Sequence, residues 1–147
     1  MSVINDDYFH LLQTKIAELH DVAMQGVIKP EYYKVQNRTV LIFSLEVILE
    51  EHRKKYGHLT NPLKGKSALH HMLLRKYKWP LSEIRSLSLQ DSLFLLQEEL
   101  ALESLPEPAQ KVIQMFSAHR AKDCFDEVRE DEWDPEFYLE VPAPRNW

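Results

Sequence analysis

The sequence predicts an all-α fold, and three observations carry that prediction. Only three of the 147 residues are glycine, whereas hairpins and tight phosphate loops depend on glycine for positive φ. Leu, Glu, Lys, Gln and Ala are abundant, and these residues favour helix. Apolar residues also recur three and four positions apart in segment after segment, the spacing of one helical face. The expected architecture is a compact bundle of about five helices spanning residues 1–122. An acidic, aromatic-containing extension, residues 123–147, follows it.

The first helix is expected in "NDDYFHLLQTKIAELHDVAMQG". Asn5 or Asp6 can cap it, and the acids of its first turn suit the helix dipole. Phe9, Leu12, Ile16, Leu19 and Ala23 form its apolar face, and Gly26 is the expected stop. The second helix begins near Pro30 and runs to about Tyr56, with Gly57 ending it. Its middle, Val40 to Leu49, is apolar on every side except at Ser44 and Glu46. A helix of that kind belongs in the centre of a bundle. A buried strand is the rival reading, because Val40, Ile42, Val47 and Ile48 are β-branched. The helix-forming "EEHRKKY" that follows without a break favours helix.

"GHLTNPLKG" is a loop by its two glycines and Asn-Pro. The third helix is expected from Ser67, as its cap, to Tyr77. Pro80 breaks the pattern, with one short helical turn after it. Ser88 and Asp91 open a fourth helix. Its Leu89, Leu93, Leu96 and Leu100 resemble a zipper, but two heptads are too few for a coiled coil, so this row is expected to face the core. "SLPEPAQ" leads into a fifth helix with Ala109, Val112, Ile113 and Phe116 on one face. Asp134-Pro135 can start one more short helix.

Charge is segregated along the chain. The net charge is −5, yet residues 52–78 hold eight Lys or Arg and no Asp or Glu. Residues 97–147 hold five basic and thirteen acidic residues. Such a basic block attracts an anionic partner: nucleic acid, an acidic protein, or the chain's own acidic extension. On a helical wheel Ser67, His71, Arg75 and Lys78 fall on an outer stripe. Leu69, Met72, Leu73 and Tyr77 fall on an inner one. Lys64, Lys66, His71, Arg75 and Lys78 are therefore the candidate contacts to an anion or nucleic acid.

Several chemistries are disfavoured. Gly65-Lys66-Ser67 lacks the first P-loop glycine, since Thr60 stands in its place, and no buried strand precedes it. His70 and His71 point about 100° apart on a helix, which does not suit one metal ion. Cys124 lies among Asp123, Asp126 and Glu127, which suppress its thiolate. No nucleophile elbow or dinucleotide fingerprint occurs. No cofactor, metal site or catalytic residue is assigned. The single cysteine excludes an internal disulfide and suits a reducing compartment. The acidic N-terminus does not read as a signal peptide, and no apolar run is long enough to span a membrane.

In the extension, Trp133, Phe137, Tyr138 and Trp147 are candidate docking residues, either on the protein's own helices or on a partner. The expected function is that of a non-enzymatic, cytoplasmic adaptor, chaperone-like or regulatory protein. It would act by protein contact or self-association. The alternative is a nucleic-acid-binding regulator using residues 52–78, and the third reading is an enzyme without a recognisable motif.

Overall fold

The structure, a computed structural model, describes residues 2–24 and 30–142. Among these residues there are six α-helices, four short 3-10 turns and no strand. The all-α prediction holds, and helices occupy each segment where they were expected.

Helix α1 spans Asp6–Leu19, and the Asn5 side chain caps it by accepting from the Tyr8 N–H. Tyr8, Phe9, Leu12 and Ile16 form its buried face. It ends before the expected stop, because Asp21 turns left-handed at φ 53°. The Val22 N–H then reaches the Ala17 carbonyl at 2.9 Å, and the Asp21 N–H reaches Glu18 at 3.2 Å. These paired bonds satisfy the last carbonyls of the helix. Gly26, expected to do that work, lies outside the described residues.

Helix α2, Glu31–Tyr56, has 26 residues, about 39 Å at 1.5 Å per residue. Val35, Ile42, Phe43, Leu45, Val47 and Leu49 have no exposed surface. The strand reading of 40–49 is thereby excluded, and α2 is the axis around which the other helices pack. Gly57 ends it as expected. A Cβ there would stand 2.5 Å from the Arg53 carbonyl oxygen, so the close approach itself requires glycine.

Helix α3, Lys66–Tyr77, starts at Gly65 and not at Ser67. Gly65 has φ 59°, a left-handed value, and no side chain caps the helix. After Pro80 comes α4, Leu81–Arg85. Helix α5, Leu89–Leu95, is capped by Ser88, which accepts from the Asp91 N–H. With seven residues it is too short for a zipper. Leu89, Leu93 and Leu96 point into the core as expected. Helix α6, Glu107–Met115, buries Ala109, Val112 and Ile113. Phe116 follows it and stacks on Phe9 with ring centres 4.6 Å apart.

One core runs through the molecule. Phe9 meets Phe43 edge to face at 5.2 Å, and the same cluster extends to Val128 and Trp133. The core takes in residues on both sides of the change of composition at residue 122. The segment after it supplies part of the only core that the helices have among the described residues.

Candidate functional site

The C-terminal segment is held in place by two buried polar residues of α2. Arg38, almost without exposure, pairs with Glu132 at 2.5 Å. Its other donors reach the carbonyls of Asp126 at 3.0 Å and Phe125 at 3.3 Å. His20 meets the other oxygen of Glu132 at 3.1 Å, and its ring stacks on Phe125. A little over two turns further along α2, the fully buried Glu46 accepts a hydrogen bond from the indole N–H of Trp133. The Tyr8 hydroxyl lies beside the same carboxylate, and each acts on the other's proton affinity. Burial pushes the Glu46 carboxyl up to about 7, against the opposing pull of the indole and of Arg53. Burial, and then the Glu46 charge, raise the Tyr8 phenol far above its usual value.

Of the two docking readings for Trp133, the protein's own helices take it: the residue is 5% exposed, inside the protein's own core. Its indole is an amphipathic group that needs a buried acceptor, and α2 provides one. Phe137 and Tyr138 are half-buried. Phe137 lies against Tyr8, with the Lys15 ammonium 4.4 Å from its ring centre. Tyr138 covers the Arg53 guanidinium at 3.8 Å. Arg53 in turn donates to the carbonyls of Leu63 and Gly65, fixing the loop that enters α3. Trp147 lies outside the described residues.

The basic block forms a ridge along α3. Lys64, Lys66, Arg75 and Lys78 are exposed, as Lys55 is on the adjoining end of α2. None of these five makes an ion pair among the described residues, whereas Lys76 is closed by Glu99 at 2.8 Å. Arg75 lies over the Tyr56 ring at 4.3 Å.

His71 departs from the outer stripe where the wheel put it. It faces α2, where its Nδ1 meets Nε2 of His52 at 2.7 Å. One ring therefore donates and the other accepts. Burial, together with the nearby His71, Arg75, Arg53 and Lys55, lowers His52 to about 4. The pair lies beside an open cleft of about 510 Å³, lined by His52, Lys55, Tyr56 and Met72 on one side and Glu98 and Glu99 on the other. Two of the five candidate anion contacts thus share the Tyr56 neighbourhood, Arg75 above its ring and His71 beside it. Lys64 and Lys66 lie at the other end of α3.

Carboxylates border the ridge on both sides. Glu98 and Glu99 stand across the cleft, and Glu136 lies against the Gly65 backbone. Glu130 lines a second, smaller pocket with Lys66 and Arg85. Among the described residues no three His, Cys, Asp or Glu are grouped to hold a metal ion. No described helix is long and apolar enough to cross a membrane.

The His52–His71 contact was invisible to periodicity, because it joins two helices. Glu46 did carry a signal, as the one acid in an otherwise apolar run. An isolated charge at the centre of a buried helix demands a partner from elsewhere. Comparison with protein-family models, curated proteins and solved structures gives no match to this chain.

Proposed function

We propose that the protein is a helical interaction module that receives an acidic segment of a partner protein along α3. One observation carries this reading: five exposed cations, Lys55, Lys64, Lys66, Arg75 and Lys78, have no carboxylate partner among the described residues. Their field is unneutralised and directed outward. Trp133, Phe137 and Tyr138 are engaged within the fold, which favours the helical surface as the element that recognises something else.

The bordering carboxylates favour a protein over a duplex. A duplex presents phosphate on a broad front and depends on many simultaneous neutralisations. Here the positive strip is the width of one helix, and Glu98, Glu130 and Glu136 flank it. A single acidic helix or extended segment lies within such a strip, whereas a wider polyanion meets the flanking charges. The stacked Tyr77 and Trp79 at the end of α3 add an apolar anchor of the kind that partner proteins use. The exposed, unpaired Cys124 fits a reducing compartment, and we assign the protein to the cytoplasm.

Fluorescence anisotropy with a labelled oligoglutamate peptide and a labelled DNA duplex tests the reading. At low salt the peptide is expected to bind the full chain. Arg75→Glu with Lys78→Glu is expected to weaken it at least tenfold, about 1.4 kcal/mol or more. Both residues are exposed, so the fold is retained. Tight duplex binding without peptide binding would overturn the proposal in favour of nucleic-acid recognition.

A further inference from the structure

A small pocket opens where α3 and α4 meet the start of α5 and the C-terminal segment. Its volume is about 60 Å³, and Lys66, His70, Arg85, Ser92, Glu130 and Trp133 line it. Lys66 and His70 are one turn apart on α3 and so project on the same side. Arg85 reaches in from the end of α4. Three nitrogen-bearing side chains thus converge on one point from two helices.

Their charge is not balanced. Lys66 and Arg85 make no ion pair among the described residues. Glu130 is the carboxylate at the wall, and one of its oxygens accepts the Leu89 N–H at 2.6 Å. It therefore serves to tie the C-terminal segment to the start of α5. His70 registers the imbalance: burial, then Lys66 and Arg85, lower its proton affinity. The floor is apolar, made by Leu69, Leu87 and the Trp133 ring. An anion entering this pocket meets two fixed cations and a neutral imidazole able to donate one hydrogen bond.

We propose that this pocket is a phosphate-monoester site, and that it reads a phosphorylated side chain on the acidic partner. The inference rests on the proposed α3 interaction face and adds a specificity to it. Size suits a single tetrahedral oxyanion, the pocket holding about 60 Å³. Charge favours phosphate over carboxylate. A phosphate monoester carries between one and a half and two negative charges at neutral pH, and so gains more than a carboxylate from Lys66 and Arg85, whose two positive charges exceed the one negative charge of Glu130. Arginine supplies the planar fork and lysine the point charge that phosphate sites use. The pocket also has a wall from the C-terminal segment, Glu130 and Trp133, so it exists only when that segment is docked.

The test uses the full chain and three probes: an oligoglutamate peptide containing one phosphoserine, the same peptide with serine, and inorganic sulfate. The phosphopeptide is expected to bind at least tenfold more tightly than its serine counterpart. Lys66→Gln with Arg85→Gln is expected to erase that difference, while Lys78→Gln leaves it. Sulfate is expected to bind the parent and to be lost from the double variant.

Equal binding of the two peptides overturns the proposal and leaves the α3 face standing. A phosphoserine preference that survives the double substitution also overturns it. Sulfate binding that is lost in the double variant, with neither peptide bound, supports the pocket and refutes the face.

Discussion

The indole N–H of Trp133 donates to the carboxylate of Glu46, 87 residues earlier in the chain. Beside it, Glu132 pairs with Arg38. Two consecutive residues of an acidic segment thus pair with two of the three buried ionisable residues of the central helix, the third being His52. Removing one side of such a contact leaves the other side buried and unpaired, and that cost governs the expected outcomes below.

Trp133→Ala is expected to destabilise the protein by about 3–5 kcal/mol, the range for emptying a buried aromatic site. Trp133→Phe retains most of the packing but removes the donor, and about 1–3 kcal/mol is expected. Urea unfolding, with the midpoint and slope fitted together, measures both. A Trp133→Phe variant as stable as the parent would show that the indole N–H contributes nothing.

Arg38→Met is expected to cost about 3–5 kcal/mol, because Glu132 is left buried with only the more distant Arg129 at 3.6 Å as its cation. Adding Glu132→Leu is expected to recover most of that loss. A double-mutant cycle in urea reads the coupling. Additive losses would mean that the pair is not a unit.

Stability against pH has opposing contributions. Glu46 has a folded value of about 7, above its ordinary 4.5. The folded state therefore holds a proton that the unfolded state has lost, and stability falls as pH rises from 4.5 to 7. At pH 8 the penalty is about 3 kcal/mol at 1.36 kcal/mol per pKa unit. His52 acts in the other direction. Its folded value of about 4 lies below the ordinary 6.5, so stability falls as pH drops from 6.5 toward 4. Between 4.5 and 6.5 the two slopes oppose each other. Glu46→Gln is expected to raise stability at pH 8 and to unmask the His52 slope, with unfolding midpoints at pH 5, 6 and 8 as the check. A variant with the pH profile of the parent would refute the assignment to Glu46.

Proton NMR reports on the histidines directly. The His52 ring is expected to stay neutral at pH 5.5, with its inflection near 4, because burial and the surrounding His71 and cations oppose a second proton. Replacing His71 with Asn is expected to move the inflection upward. An inflection near 6.5 in the parent would mean that the two rings do not meet in solution.

The helices were legible because each follows from local chemistry. Asn5 and Ser88 cap where they were expected to cap. The apolar run of α2 lies at the centre, and the leucines of α5 face inward. Two local readings failed for backbone reasons. A left-handed Asp21 closes α1 early, and Gly65 in place of Ser67 begins α3. The site was less legible. A wheel places His71 relative to its own helix, but His52 on a neighbouring helix decides which way it faces. Composition marked the segment after residue 122 as an acidic extension, with its aromatics docking on the protein's own helices or on a partner. Its role depends on Glu132 and Trp133, and on partners more than eighty residues away.

The placement of Trp133 makes the central helix depend on a segment that emerges long after it. Proteins are made from the N-terminus and fold as they emerge. Here the central helix carries Arg38 and Glu46 from early in translation, and both wait for residues 132 and 133. A chain stopped between Met115 and Glu132 retains every α-helix described above but has an uncompensated cation and carboxylate along its axis. Such a product opens readily, and open chains are the ones that cellular proteases remove.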